Sequence, residues 1–131
     1  MTEPTIIDPV VQRDVWDCGV SCLQMLLGRP YENIRSCIRE KRPTGLSVRQ
    51  MRSIAKKLGH TLTYSKTYQD DDIGIWDLQR QMLDSKEQEG HFVVYVKDTI
   101  YNPAQGQWWT DADAYLKESR YWVEGILRRK E

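Results

Sequence analysis

The chain has 131 residues, a length that suits one domain and is short for two. Nineteen Lys and Arg balance nineteen Asp and Glu, so the formal net charge is zero, without the basic excess of a typical nucleic-acid binder. Forty per cent of residues are hydrophobic, enough for a core that folds without disulfide or metal.

Residues 1–15 read as an extended entry segment anchored by Ile6, Val10, Val11 and Val15. The polar stretch Met1–Val10, with Pro4 and Pro9, has no apolar core for a signal peptide. From Cys18 to Leu27 the apolar residues recur at helical spacing. Asp17 is the candidate cap, and Gly28 with Pro30 closes the helix. A second helix is predicted over Tyr31–Lys41. A third, capped by Ser47, runs to Leu58 with Val48, Met51, Ile54, Ala55 and Leu58 as its apolar face.

Thr61–Thr67 alternates and is rich in β-branched residues, so a strand is expected there. Gln69–Gly74 reads as an acidic loop, and Ile75–Ser85 as a fourth helix carrying Trp76, Leu78, Gln79, Met82 and Leu83. Phe92–Val96 is a nearly continuous apolar run and a central-strand candidate. Lys97-Asp98 is a turn, Thr99–Asn102 a returning strand, and Pro103 its end. A short piece over Gln107–Thr110, a helix over Asp111–Glu118 and a last strand over Tyr121–Arg128 complete an α+β arrangement, N-terminal helices packed on a C-terminal antiparallel sheet. No stretch approaches the roughly 20 apolar residues of a membrane helix.

Three cysteines, at 18, 22 and 37, form no paired spacing, which argues against a disulfide framework and for a reducing, cytoplasmic setting. With two histidines they make no familiar metal-ligand spacing, so no metal or cofactor is expected. Cys18 falls in the first turn of a predicted helix, where backbone N–H groups and partial positive charge favour the thiolate. Cys22, one turn deeper, and Cys37 read as core residues.

A nucleophilic thiol needs a base. His91 opens the apolar strand behind Gly90, while His60 reads as a helix-end residue. If Lys97-Asp98 is a two-residue hairpin turn, Val96 faces Thr99 and Val93 faces Asn102. His91 and Asn102 then share a sheet face as diagonal neighbours, in reach of one hydrogen bond. Asp98 sits in the turn, roughly 20 Å along the strand, too far to serve. Gln12, just upstream of Cys18, is a candidate side-chain amide for an oxyanion site. Each residue taken singly has a structural alternative: an inert buried thiol, a satisfied strand-end histidine, surface polarity.

As a set they resemble a known family. Gln12-Arg13-Asp14-Val15-Trp16-Asp17-Cys18-Gly19 and the apolar helix behind it resemble the nucleophile segment of the C39 peptidases and their C39-like relatives. Gly45–Gly59, Gly90-His91-Phe92-Val93-Val94, Tyr101-Asn102-Pro103-Ala104-Gln105-Gly106 and Tyr121–Leu127 are similar to that family's later landmarks, in the same order. The resemblance implies a papain-like fold, with residues 1–131 as a single C39-like domain. It implies a cysteine hydrolase cutting a peptide or related amide bond, after small residues such as Gly-Gly. Cys18 would be nucleophile, His91 base, Asn102 the orienting residue, and Gln12 an oxyanion donor. The expected partner is a peptide or protein substrate, with no nucleic acid. Relatives are often fused to export transporters; this sequence shows no such elements, so action alone or in trans is expected.

One position departs from the pattern, since the family's third residue is usually Asp. An amide orients an imidazole without lending it a counter-charge. The competing reading is a catalytically weak, C39-like peptide-binding module. The Trp16–Gly19 wording also resembles C39-like guanylyl cyclases, but no phosphate-cradling loop accompanies it.

Overall fold

The computed structural model describes residues 18–38, 45–83 and 87–130. Gln12, Asp17 and the predicted helix beyond Ile38 lie outside the described residues. The elements run α1 (Cys18–Leu27), α2 (Tyr31–Arg35), α3 (Val48–Lys57), β1 (Thr61–Ser65), β2 (Ile73–Gln81), β3 (Gln88–Val96), β4 (Thr99–Asn102), β5 (Gln107–Trp109), α4 (Ala112–Ser119) and β6 (Trp122–Lys130).

Helix α1 buries Gly19 to Leu23 and Met25 to Leu27, so it is enclosed nearly all round. Gly28 follows at φ +66°, the left-handed conformation that stops a helix. Helix α3 begins with a capping box. Ser47 Oγ accepts from the Gln50 N–H at 3.1 Å, and Gln50 Oε1 accepts from the Ser47 N–H at 2.8 Å. Its buried stripe is Met51, Ile54 and Ala55.

The six strands form one sheet in the order β1-β6-β2-β3-β4-β5, and every pair is antiparallel. Helices α1 and α3 cover one face, packing on Leu62, Ile75, Phe92, Val94, Tyr101 and Leu127. Helix α4 brings Ala112 and Tyr115 to the other, over Trp76, Leu78, Val93, Tyr95, Ile100 and Ile126. The Trp76 and Tyr95 rings stack there at 4.5 Å between centroids.

The segment expected as a fourth helix, Ile75–Ser85, is instead strand β2. It pairs with β3 from Ile73↔Val96 to Gln81↔Gln88 and with β6 on its other side. The physical reason is burial on both faces: Ile75 meets the α1 side while Trp76 and Leu78 meet the α4 side. Where apolar Ile75 and Trp76 adjoin on opposite faces the polar alternation breaks, and a short apolar run then imitates one face of a helix. Met82 and Leu83, which completed that imagined face, are 41% and 79% exposed.

The two readings of this segment differ in a mutational outcome. Trp76→Ala should cost about 3–5 kcal/mol, and Leu83→Gln should stay within about 0.5 kcal/mol, both read from urea-denaturation midpoints. Equal losses at the two positions would restore the helical reading.

Candidate active site

A cleft of about 910 Å³ opens where α1 begins against the sheet, and Cys18, His91 and Asn102 all line it. Cys18 is the first residue of α1, so the partly exposed thiol sits in the helix's first turn, at the positive end of its dipole. None of the cysteines is in a disulfide. Cys22 is fully buried, and burial, then the proximity of Cys18, pushes its thiol well above the usual range. Two cysteines one helical turn apart are thus placed in opposite environments.

His91 is carried by β3 beyond the point where β4 stops pairing with it. That ladder runs Val96↔Thr99, Tyr95↔Ile100 and Val94↔Tyr101. Lys97 and Asp98 both have positive φ, 47° and 67°, as a tight hairpin turn of the favoured twist requires. The expected register therefore holds, and it delivers the expected diagonal contact: His91 Nε2 lies 2.8 Å from Asn102 Oδ1. Asp98 stays in the exposed turn.

The tautomer follows from the partners of Asn102. The Ala104 N–H donates to Asn102 Oδ1 at 3.1 Å, and Asn102 Nδ2 donates to Gln105 Oε1 at 3.2 Å. A backbone N–H only donates, so the atom it meets is the carbonyl oxygen. His91 must then donate through Nε2–H, which leaves Nδ1 as an acceptor. Asn102 is buried, at 7% exposure, and its backbone carbonyl accepts from the Gly106 and Gln105 N–H groups in the turn that follows.

Burial pulls the His91 imidazole below its ordinary pKa, the Asn102 bond opposes this, Glu89 also raises it and Arg80 lowers it. The net shift is downward, so the ring is a neutral base at pH 7. Tyr121 stacks on the imidazole at 5.7 Å, 22° from parallel. The Arg80 guanidinium lies 4.5 Å from the Tyr121 ring centroid, pairs with Glu89 at 3.0 Å and donates to the Ser119 carbonyl. Arg80 lies in the segment whose sequence reads as a helix, so no local pattern places it beside Tyr121.

His60, the other histidine, lies away from this cleft in a separate groove. Among the described residues no cluster of side chains suits a metal ion, and no helix is long and apolar enough to cross a membrane.

With only two histidines, the ring of His91 can be followed by ¹⁵N NMR in a His60→Gln background. The neutral Nε2–H tautomer is expected, with a midpoint below 6.5. Asn102→Ala should lower it further, because the bond it removes favours the charged ring; Asn102→Asp should raise it. A midpoint that ignores position 102 would sink the assignment.

The sequence profile described as the Peptidase C39 family matches residues 7–118. No curated protein matches the chain. Among solved structures, a double glycine motif protease from an AMS/PCAT transporter, in complex with the leader peptide, is similar at TM-score 0.64. It shares 19% identity over 95% of this chain and 91% of that one. The peptidase domain of Streptococcus ComA, a bi-functional ABC transporter involved in a quorum-sensing pathway, is similar at TM-score 0.63. It shares 15% identity over 95% of this chain and 98% of that one. The same domain of Streptococcus mutans ComA, with a small-molecule inhibitor, gives 0.61 and 16% over 95% and 99%. These likenesses show the shared fold, and the profile match covers most of the chain: it belongs to the peptidase C39 family and is a cysteine peptidase.

Proposed function

We propose that the chain cleaves peptide bonds by thiol acyl transfer, with Cys18 as nucleophile, His91 as general base and acid, and Asn102 as the orienting residue. The observation that carries this reading is the 2.8 Å bond from His91 Nε2 to Asn102 Oδ1, on a cleft that Cys18 also lines. It leaves Nδ1 as the ring nitrogen for the thiol proton.

In the first half-reaction the Cys18 sulfur attacks the scissile carbonyl while His91 holds the thiol proton. The tetrahedral intermediate collapses as His91 gives that proton to the leaving amine. Water, deprotonated by His91, then attacks the thioester and releases the acid, restoring thiol and neutral imidazole. The first N–H groups of α1 suit the developing oxyanion. Gln12, outside the described residues, is proposed as a side-chain donor beside them on the strength of its spacing to Cys18.

Asn102 keeps the imidazole in one tautomer and one plane without supplying a negative charge. The imidazolium formed in the first step therefore lacks an adjacent carboxylate partner of the Asp type. Cleavage after small residues such as a Gly-Gly pair is the proposed specificity. A double-glycine protease with the same fold supports it. A reducing, cytoplasmic setting would keep such a thiol active, and Cys22 and Cys37 are likewise unbridged.

Iodoacetamide at pH 6 should modify Cys18 much faster than Cys22, read by peptide mass. Cys18→Ala should abolish hydrolysis of a fluorogenic Gly-Gly peptide, and His91→Ala should reduce kcat/KM by about 10²–10⁴. Slow, equal labelling of both thiols, together with wild-type turnover in Cys18→Ala, would remove Cys18 from the mechanism.

A further inference from the structure

A second hollow, of about 740 Å³, lies between α3 and β1. Its helical wall is Arg49, Arg52, Ser53 and Lys56, which share one face of α3 at spacings of three, four and seven. His60, Thr61, Leu62 and Tyr64 form the opposite wall. Among the described residues no carboxylate lines it. Arg52 Nε donates to the Leu62 carbonyl at 3.1 Å, tying the two walls together. Arg49 and Lys56 are exposed, and among the described residues neither has a carboxylate within ion-pair distance. Arg29 and Arg129 add to the field, since His60 is pulled down by burial, then by Arg129, then by Arg29.

In a chain of zero net charge this is local segregation, and the opposite sign lies close by. The cleft carries Asp77, Glu89 and Glu118 on its walls. The two hollows adjoin, because Val48 lines both. On the boundary Tyr64, from the groove, donates to Asp77 Oδ2, in the cleft, at 2.9 Å.

We propose that the groove between α3 and β1 docks an acidic segment of the peptide substrate, to one side of the bond cut in the cleft. This rests on the peptidase reading above. A peptide leaving the cleft past Val48 meets Arg49, Arg52 and Lys56 in turn, and the exposed Arg49 and Lys56 have no carboxylate within ion-pair distance among the described residues. A nucleic acid fits less well. Its phosphates would run from the groove towards the carboxylates of the cleft, and it prefers a broad basic face over a hollow sized for a few side chains.

The test separates docking from catalysis. In the full chain carrying Cys18→Ala, a fluorescein-labelled hexaglutamate peptide should bind saturably by anisotropy, more weakly as salt rises, while hexalysine does not bind. Arg49→Glu/Lys56→Glu should weaken that binding at least about tenfold with unchanged far-UV circular dichroism; both side chains are exposed, so the fold should tolerate the change. In the active chain, two Gly-Gly fluorogenic peptides are compared, one extended by glutamates and one by glutamines. The acidic one should show the lower KM at equal kcat, and the double variant should erase the difference while leaving the glutamine peptide unchanged. Absent hexaglutamate binding, binding indifferent to the double variant, or equal KM values would each overturn the proposal. So would a single-stranded oligonucleotide of equal charge that binds more tightly and loses affinity in the same variant. Failure to cut either peptide would count against the peptidase reading, and the anisotropy would still decide the groove.

Discussion

Two residues in the left-handed region, Lys97 and Asp98, hold β3 and β4 in register. Neither is a glycine, so the turn carries some backbone cost, which the buried pairing of Val94, Tyr95, Ile100 and Tyr101 offsets. The site depends on this register. Slipping β4 by one residue would send Asn102 to the α1 face and leave His91 without its acceptor. The Asn102 side chain is further held by Ala104 and Gln105, so the imidazole is aimed by a partner that is itself fixed.

The sheet's second constraint is that both of its faces are covered. Helix α1 must lie flat on β3 and β2 to bury Leu23, Leu26 and Leu27, and in doing so it brings its N-terminus to the cleft. The same packing seals Cys22 and leaves Cys18 accessible. Helix position thus gives two similar thiols different environments. On the far face α4 supplies Tyr115 and the residue before β6 is Tyr121; the two rings stack at 6.5 Å, and Tyr121 covers the imidazole. Burial pushes the Tyr121 phenol up to about 12, so it remains a neutral, apolar cover at working pH.

Charge is arranged on a larger scale than these contacts. Carboxylates gather on the cleft walls, some of them paired, as Glu89 is with Arg80. Guanidinium and ammonium groups gather on the outer face of α3. A polypeptide crossing from one hollow to the other would experience both signs. That offers orientation along the cleft.

Much of this was legible in the linear chain. The Cys18 helix, the Ser47 cap, the Lys97-Asp98 turn and the reach from His91 to Asn102 rest on local rules: helical period, capping chemistry, a two-residue turn and strand alternation. Those rules act over a few residues, so the sequence by itself determines them. Strand β2 was different. Ile75, Trp76 and Leu78 suit a helix face or a doubly buried strand equally well, and only pairing with β3 and β6 chose between them. Arg80 and Tyr121 meet because β2 and β6 are neighbours in the sheet, a long-range fact with no local signature. The same holds for the junction at Val48 between cleft and groove. The chain specifies its elements through short-range geometry, whereas which surfaces those elements share is set by the burial they achieve together.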